Sequence, residues 1–179
     1  MIYSTISSRY AKALIELSNE KQLTDAVYSD MLEIQNLLFE SPELRHFLGT
    51  PQVDDKVKSR MINRLFSEHF QDITIKFFNL LIRKGRSKLV VYIVHQFVAL
   101  YREQNGIVLA SIKTAVAMPD ETKQKIIEKV RRATGKNKVE LTEQIDKNLL
   151  GGFILSYDGN SYDASIKNNL DKIRNILTA

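Results

Sequence analysis

The sequence predicts an α-helical bundle followed by a smaller α+β module. Apolar residues recur every three or four positions through roughly the first hundred residues, which is the period of an amphipathic helix. The period becomes two after Gln104-Asn105-Gly106, as in a half-buried strand. A glycine pair, Gly151-Gly152, then precedes a further apolar run and a reverse-turn sequence. We therefore place a six-helix bundle over residues 1–105 and a sheet-and-helix domain over residues 106–179.

The six helices are predicted from their start and stop signals. Ser, Thr or Asp precedes most of the apolar stripes, and these side chains cap helix N-termini. Proline and glycine separate the stripes, because proline cannot continue a helix interior and glycine favours a helix end. The predicted starts are Ser4, Ser7 or Ser8; Thr24 or Asp25; Glu43; Asp54 or Asp55; Asp72 or Thr74; and Ser87. In the fourth helix, one face carries Val57, Met61, Leu65 and Phe66.

The second half predicts three strands and two helices. Val108, Ala110, Ile112 and Thr114 occupy alternate positions of the first strand. Pro119-Asp120 opens a helix that Gly135 stops. A second strand is predicted around Val139 and Leu141, and a third from Phe153 to Tyr157, followed by a turn at Asp158-Gly159-Asn160. Asp163 or Ser165 caps the last predicted helix. The apolar stripe of that helix is Ile166, Leu170, Ile173 and Leu177.

Composition narrows the possible classes of function. The chain has no cysteine, which excludes a disulfide framework, thiolate catalysis and a Cys-based zinc site. Its longest apolar run, Leu89 to Val94, is far shorter than the ~20 residues of a membrane span. The N-terminus lacks a signal-peptide pattern. We expect a soluble protein, peripheral to a membrane at most, and its net charge of +5 permits several kinds of partner.

Motifs for catalysis or cofactor binding are absent from the sequence. The three histidines, His46, His69 and His95, are scattered along the chain. His69 lies beside Glu68 and three residues before Asp72, a spacing that a metal site could use, but an exposed surface histidine is the better interpretation. The stretch from Arg131 to Lys136 lacks the spacing of a phosphate-binding loop, and its glycine follows a helix instead of opening one. Gly151-Gly152 precedes a strand, so no helix N-terminus points from it at a phosphate. We expect no enzyme activity, no metal and no cofactor.

The fifth predicted helix has more apolar surface than one core contact requires. Its apolar residues are Ile73, Ile75, Phe77, Phe78, Leu80, Leu81 and Ile82. A surface helix normally has one apolar stripe and one polar face. The helix is therefore either central to the bundle or two-sided, with one face lining a groove for an amphipathic partner helix. The first helix offers the same choice, because Ala11 and Ala13 would allow close approach of another helix.

Several segments, in order along the chain, resemble the delta subunit of the F-type ATP synthase, whose mitochondrial counterpart is the oligomycin-sensitivity-conferring protein. The opening helix carries Arg9-Tyr10-Ala11-Lys12-Ala13-Leu14, and Phe47-Leu48-Gly49-Thr50-Pro51 with Lys56 is similar to a second family segment. The further matches are Phe77 to Arg86, Thr114-Ala115, Asp146, Leu150-Gly151-Gly152, and Asp163 with Ser165. Their order over most of the chain makes the joint resemblance specific.

The resemblance implies a non-catalytic stator subunit of F1Fo ATP synthase. Such a subunit clamps the α/β ring to the peripheral stalk, so that proton flow stays coupled to ATP synthesis. It implies a hetero-oligomer at the cytoplasmic face of a bacterial cell membrane, without membrane insertion, cofactor or nucleic acid. The helical bundle is expected to bind the N-terminal helix of an α subunit, and the C-terminal module the b subunits. The expected groove residues are Tyr10, Ala13, Leu14, Leu17, Phe77, Phe78, Leu81 and Ile82; the structural motif is Gly151, Gly152, Asp163 and Ser165.

A rival interpretation is an RNA-binding helical bundle of the transcription antitermination type. Its basic footprint would be Arg83, Lys84, Arg86 and Lys88, with Arg131, Arg132, Lys136 and Lys138. The sequence lacks the interleaved aromatic residues of a single-strand platform. This interpretation also leaves the α+β module without a role.

Overall fold

The computed structural model describes residues 2–146, 149–166 and 168. The chain divides into two compact units, Met1–Tyr101 and Arg102–Ala179. The described chain is mostly helical, with one small mixed sheet. The last predicted stripe, with Leu170, Ile173 and Leu177, lies outside the described residues.

Helices build the first unit. They are α1 (Ile2–Glu20), α2 (Thr24–Glu40), α3 (Pro42–Gly49), α4 (Asp55–Phe66), α5 (Asp72–Arg83) and α6 (Val90–Gln104), with a 3-10 turn at Ser87–Leu89 before α6. The side chain of Ser41 accepts from the Leu44 amide at the start of α3, where Pro42 occupies the first turn. Of the two residues predicted to cap α4, Asp54 is the cap: its side chain accepts a hydrogen bond from the Lys56 amide. These two local signals therefore begin α3 and α4. The cap predicted for α1 is wrong, because the helix already begins at Ile2, before Ser4, Ser7 and Ser8. The side chains at the N-cap positions of α2 and α5 make no capping hydrogen bond.

The core of the first unit is apolar, with a few buried polar groups that bind backbone atoms. Its largest fully buried side chains are Leu14, Ile15, Val27, Met31, Leu81, Ile82, Val90, Ile93, Val94, Phe97 and Val98. Lys58 is also buried, and its ammonium donates to the carbonyl oxygens of Leu48 (3.3 Å) and Thr50 (2.6 Å) and to Ser87 Oγ (3.3 Å). Lys58 thereby ties the end of α3 to α4 and to the 3-10 turn. In the family-like segment the sequence pointed to Lys56, which is exposed.

The second unit holds a four-stranded sheet. Its elements are β1 (Ile107–Thr114), α7 (Asp120–Thr134), β2 (Lys138–Ile145), β3 (Phe153–Tyr157) and β4 (Asn160–Asp163). The strand order is β2-β1-β3-β4. The pair β1/β2 is parallel and α7 connects it, whereas β3 pairs antiparallel with β1 and β4. The register places Val108 beside Val139 and Ile112 beside Leu155.

One face of this sheet packs against α7. Val108, Ala110, Ile112 and Leu155 form a buried cluster with Ile126 and Val130 of α7. Buried and less buried residues alternate along β1, as the period of two predicts. Gly135 ends α7 in the left-handed conformation, with φ of 68°, which glycine adopts without strain.

Strand β4 is an element that sequence reasoning missed. Asp158 and Gly159 both have positive φ, 48° and 77°, as a tight hairpin turn between two strands requires. The turn was predicted, but the strand after it was not. Residues Asn160–Asp163 are all exposed, so they show no apolar alternation to recognise.

Candidate docking groove

Helix α5 supplies one wall of the candidate site. Seven of its twelve residues are buried: Ile73, Thr74, Ile75, Phe77, Phe78, Leu81 and Ile82. Leu80 is only half-buried, while Lys76 and Arg83 are exposed. The apolar surface of α5 therefore faces mainly the core, and its remaining apolar edge reaches the surface beside two cations.

Helix α1 contributes Leu17 to the opposite wall, on one line with Tyr10 and Ala13. Tyr10 is half-buried, Ala13 is exposed and Leu17 is 42% exposed. These positions are three and four apart, so they share one helix face. Leu14 is different, because only 1% of it is exposed and it belongs to the core.

An open concavity of about 410 Å³ lies between these walls. Leu17, Ile73, Phe77 and Leu80 line it together with Leu23, which follows the end of α1. At one end the Tyr10 ring meets Phe77 edge-on, with ring centroids 6.4 Å apart. The Arg86 guanidinium lies over the Tyr10 ring, 5.7 Å from its centroid, a cation–π distance. We call this concavity the α1/α5 groove.

Charged side chains border the α1/α5 groove. Lys21, Asp72, Lys76 and Arg83 belong to its lining. Lys76 forms an exposed ion pair with Asp72, one helical turn away. An apolar floor with a predominantly basic rim suits a ligand that is apolar on one side and polar on the other.

The predicted site residues divide between this groove and the core. Leu17 and Phe77 line the groove, Tyr10 contacts Phe77 at its end, and Ala13 lies on the same exposed line as Tyr10 and Leu17. The core contains Leu14, Phe78, Leu81 and Ile82. Sequence reasoning did not assign Leu23, Ile73 or Leu80 to the groove. Ile73 and Leu80 were visible as excess apolar positions of α5, whereas Leu23 follows α1 and carries no periodic signal.

A buried carboxylate fixes the start of α5. Asp30 of α2 accepts a hydrogen bond from the Gln71 amide (2.9 Å) and another from Thr74 Oγ1 (2.6 Å). Gln71, at the N-cap position, makes no side-chain cap of its own. Burial raises the pKa of the Asp30 carboxyl, although both hydrogen bonds act to lower that pKa. Asp30 thus caps, from another helix, the helix that forms one wall of the groove.

The glycine motif closes the second unit and contains no reactive groups. Gly151 and Gly152 have φ of 150° and 77°. The Ala164 amide donates to the Phe153 carbonyl (2.9 Å), and the Ile166 amide donates to the Gly151 carbonyl (3.1 Å). A Cβ on Gly152 would overlap the Ala164 carbonyl oxygen. The two glycines therefore allow the segment after β4 to lie directly against the start of β3.

Asp163 and Ser165 organise that segment. Asp163 Oδ1 accepts from the Ser165 amide (2.8 Å). Ser165 is buried, and its Oγ accepts from the Asn168 amide (3.1 Å), three residues on. This is the bond of an N-capping serine, so Ser165 is the capping residue of the two that the sequence proposed.

In residues 2–146, 149–166 and 168, no group of three or more His, Cys, Asp or Glu side chains is placed to hold a metal ion. None of the helices described is long and apolar enough to cross a bilayer.

The fold and the groove together define a class: a helical unit with an apolar trough, followed in the chain by a small α+β unit. Comparisons with known proteins identify the family. Residues 6–177 match the family described as "ATP synthase delta (OSCP) subunit". The chain belongs to this family, whose members are structural, non-catalytic subunits that link F1 to the peripheral stalk.

Individual relatives agree with this assignment. The chain is 35% identical over 170 residues to ATP synthase subunit delta of Cyanothece sp. (strain PCC 7425 / ATCC 29141), covering 95% of this chain and 92% of the relative. It is 34% identical over 173 residues to the same subunit of Trichodesmium erythraeum (strain IMS101), covering 97% and 95%. The fold is similar, at a TM-score of 0.71 and 22% identity, to a chain of the Toxoplasma gondii mitochondrial ATP synthase hexamer, over 97% of each chain.

The family decides between the two classes of function that the sequence left open. It confirms the stator subunit, and it leaves the RNA-binding interpretation without support. The predicted absence of catalysis by this subunit also follows from the family.

Proposed function

We propose that the α1/α5 groove binds the N-terminal helix of one α subunit of F1. The observation that carries this proposal is the open concavity of about 410 Å³ between α1 and α5, which five apolar side chains line. With twelve residues, α5 is about 18 Å long at 1.5 Å per residue, room for roughly three turns of a partner helix. Leu17, Phe77 and Leu80 would contact the apolar face of that helix.

The rim adds a preference for charge. Lys21 and Arg83 are exposed cations at the groove, whereas Lys76 forms an ion pair with Asp72. Carboxylates on the flanks of the bound helix would meet Lys21 and Arg83. Because these pairs are exposed, they contribute mainly to orientation and association rate, and the apolar contact supplies most of the affinity.

The six helices of the first unit act in this proposal as the bundle that binds F1, and the second unit binds the b subunits of the peripheral stalk. Exposed apolar side chains support a contact in the second unit; they are Val116, Ile145, Leu150 and Ile166. Two contacts on one chain add avidity, since each raises the effective concentration for the other.

The resulting subunit is a clamp at the cytoplasmic face of the bacterial membrane. It holds the α/β ring still against the torque of the central shaft, so that proton flow stays coupled to ATP synthesis. None of its side chains takes part in the chemistry of ATP. Its contribution is mechanical, through the stability of the two contacts.

A calorimetric titration of the full chain with the N-terminal peptide of the cognate α subunit tests the groove. We expect one-to-one binding that persists at high salt, because an apolar contact is screened little. Leu17→Asp should weaken binding at least tenfold. The matched control is Phe39→Asp, since Phe39 is an 83% exposed apolar residue of α2 that does not line the groove. Equal affinities for the Leu17→Asp variant and the wild type would refute the groove.

A further inference from the structure

Helix α4 turns an apolar line toward solvent. Val57, Met61 and Leu65 follow one another at intervals of four and are 45%, 44% and 47% exposed. The helix contacts the core through Lys58 and Ile62, its buried residues. At about 100° per residue, the exposed line lies roughly a quarter turn from this core-facing line. The apolar arc of α4 is therefore wider than its core contact, over a length of about 12 Å.

A line of cations runs beside the apolar line. Lys56, Arg60 and Arg64 also follow at intervals of four, and all three are exposed. Other exposed helices pair such charges internally, as Lys76 does with Asp72 and Lys125 with Glu121. In the part of the chain that the structure describes, no ion pair involves any of the three α4 cations.

The spacing of these cations works against the isolated helix. Like charges four residues apart on a helix repel each other, and the line contains two such pairs in succession. The sole carboxylate within α4 is Asp55, in its first turn. The outer surface of α4 thus combines partly exposed apolar side chains with uncompensated positive charge. We call these six residues, Val57, Met61, Leu65, Lys56, Arg60 and Arg64, the α4 face.

The α4 face is separate from the α1/α5 groove. None of its six residues lines that groove. Asn63, three residues after Arg60, accepts a hydrogen bond from the side chain of Asn79 of α5 (2.7 Å). A ligand on the α4 face therefore need not displace a ligand from the groove.

We propose that the α4 face is a second docking surface, and that it binds an acidic amphipathic helix of a partner protein. A helix with apolar residues at intervals of three and four would cover Val57, Met61 and Leu65. A row of Asp or Glu beside that stripe would meet Lys56, Arg60 and Arg64, as flanking charges select partners in coiled coils. Charge complementarity thus defines the chemistry of the occupant. This site is additional to the proposed α-subunit groove and does not depend on it.

The geometry favours a helix over a lipid surface. More than half of each apolar side chain is already covered by the protein, so little of it can enter a bilayer. The apolar line also lies between the core contact and the basic line, whereas a membrane-bound helix presents its apolar face away from the rest of its protein. A partner helix that lies along α4 can contact both the apolar line and the basic line.

The test uses the full chain and two designed helical peptides of equal length. Both peptides carry leucine at intervals of three and four; one has glutamate on the flanking positions and the other lysine. Chemical-shift mapping locates the bound peptide, and titration gives its affinity. We expect the glutamate peptide to shift the amides of α4 and to bind at least tenfold more tightly than the lysine peptide.

Variants separate this surface from the groove. Arg60→Glu with Arg64→Glu should weaken binding of the glutamate peptide at least tenfold, and Met61→Ser should also weaken it. The control, Arg132→Glu with Lys136→Glu, reverses two exposed charges of the second unit and should change nothing. Loss of binding in Leu17→Asp would place the peptide in the α1/α5 groove and overturn the proposal. Unchanged affinity of the Arg60→Glu/Arg64→Glu variant for the glutamate peptide would overturn the proposal too. So would binding of the α4 face to phosphatidylserine vesicles without binding to the peptide.

Discussion

Gly152→Ala should destabilise the second unit more strongly than the same change at Gly159. Both glycines have φ of 77°, so an alanine at either position is held at the same positive φ. They differ in their surroundings, because a Cβ on Gly159 would meet nothing within 4 Å. At Gly152 it would overlap the Ala164 carbonyl oxygen and lie 2.9 Å from Ser165 Cα. The pair therefore separates steric overlap from backbone strain.

The magnitudes follow from these contacts. Left-handed backbone costs an alanine about 1–2 kcal/mol, and the smaller entropy of the unfolded chain returns roughly 0.4–1 kcal/mol. Gly159→Ala should thus lower the free energy of unfolding by about 1 kcal/mol. To relieve the overlap at Gly152, the segment 164–166 must move and lose its two hydrogen bonds to Phe153 and Gly151. At about 1 kcal/mol each, these raise the total for Gly152→Ala to about 3 kcal/mol.

Native-state hydrogen exchange of the β1 amides measures both effects, because β1 is the central buried strand of that unit. The expected result is a loss of protection at Ala110 and Ile112 that is about 2 kcal/mol larger in Gly152→Ala than in Gly159→Ala. Equal losses in the two variants would refute the reasoning, since they would show that the segment after β4 does not press against Gly152.

Three further predictions concern the first unit. Leu14→Asp should lower its thermal stability severely because it buries a charge, whereas Leu17→Asp should melt near the wild type; similar melting of both variants would contradict the assigned burial. Because the pKa of Asp30 is raised in the folded state, the folded protein keeps the proton on this carboxyl to higher pH than the unfolded chain does. In the unfolded chain the pKa of Asp30 is near 3.8. The free energy of unfolding should therefore fall as pH rises from about 4 through the folded pKa of Asp30. In urea titrations, the Asp30→Asn variant should not show this fall. An identical pH dependence of the free energy of unfolding in variant and wild type would contradict the prediction. Lys58→Met should cost about 3 kcal/mol by chemical denaturation because it leaves buried acceptors unpaired, and a neutral effect would show that water replaces the ammonium.

The sequence predicts the groove helices but cannot sort their residues. Periodicity places Tyr10, Leu14 and Leu17 on one broad stripe of α1, and the neighbouring helices decide that Leu14 is buried and Leu17 is exposed. The same applies to α5, where the excess of apolar residues indicated a special role. That excess alone could not show that Phe78 and Leu81 fill the core while Leu80 reaches the groove.

Interactions between distant residues are the part that sequence reasoning cannot reach. The cap of α5 comes from Asp30, 41 positions before Gln71, and no local motif links them. In the sequence, the buried Lys58 resembles an ordinary surface lysine, because two of its acceptors are backbone carbonyls at the end of α3, eight and ten positions earlier. Local conformational signals performed better. The glycine pair, the turn at Asp158-Gly159 and the serine cap were predicted because each depends on residues close together in the chain.

Rebinding of the chain to F1 that lacks its delta subunit tests the central claim most directly. We expect the wild type and Phe39→Asp to bind such F1 and to restore coupled ATP synthesis when the complete enzyme is reassembled. We expect Leu17→Asp, although folded, to bind F1 at least tenfold more weakly and to restore less synthesis. Full binding and full coupling with Leu17→Asp would contradict the claim that the α1/α5 groove holds this subunit on F1.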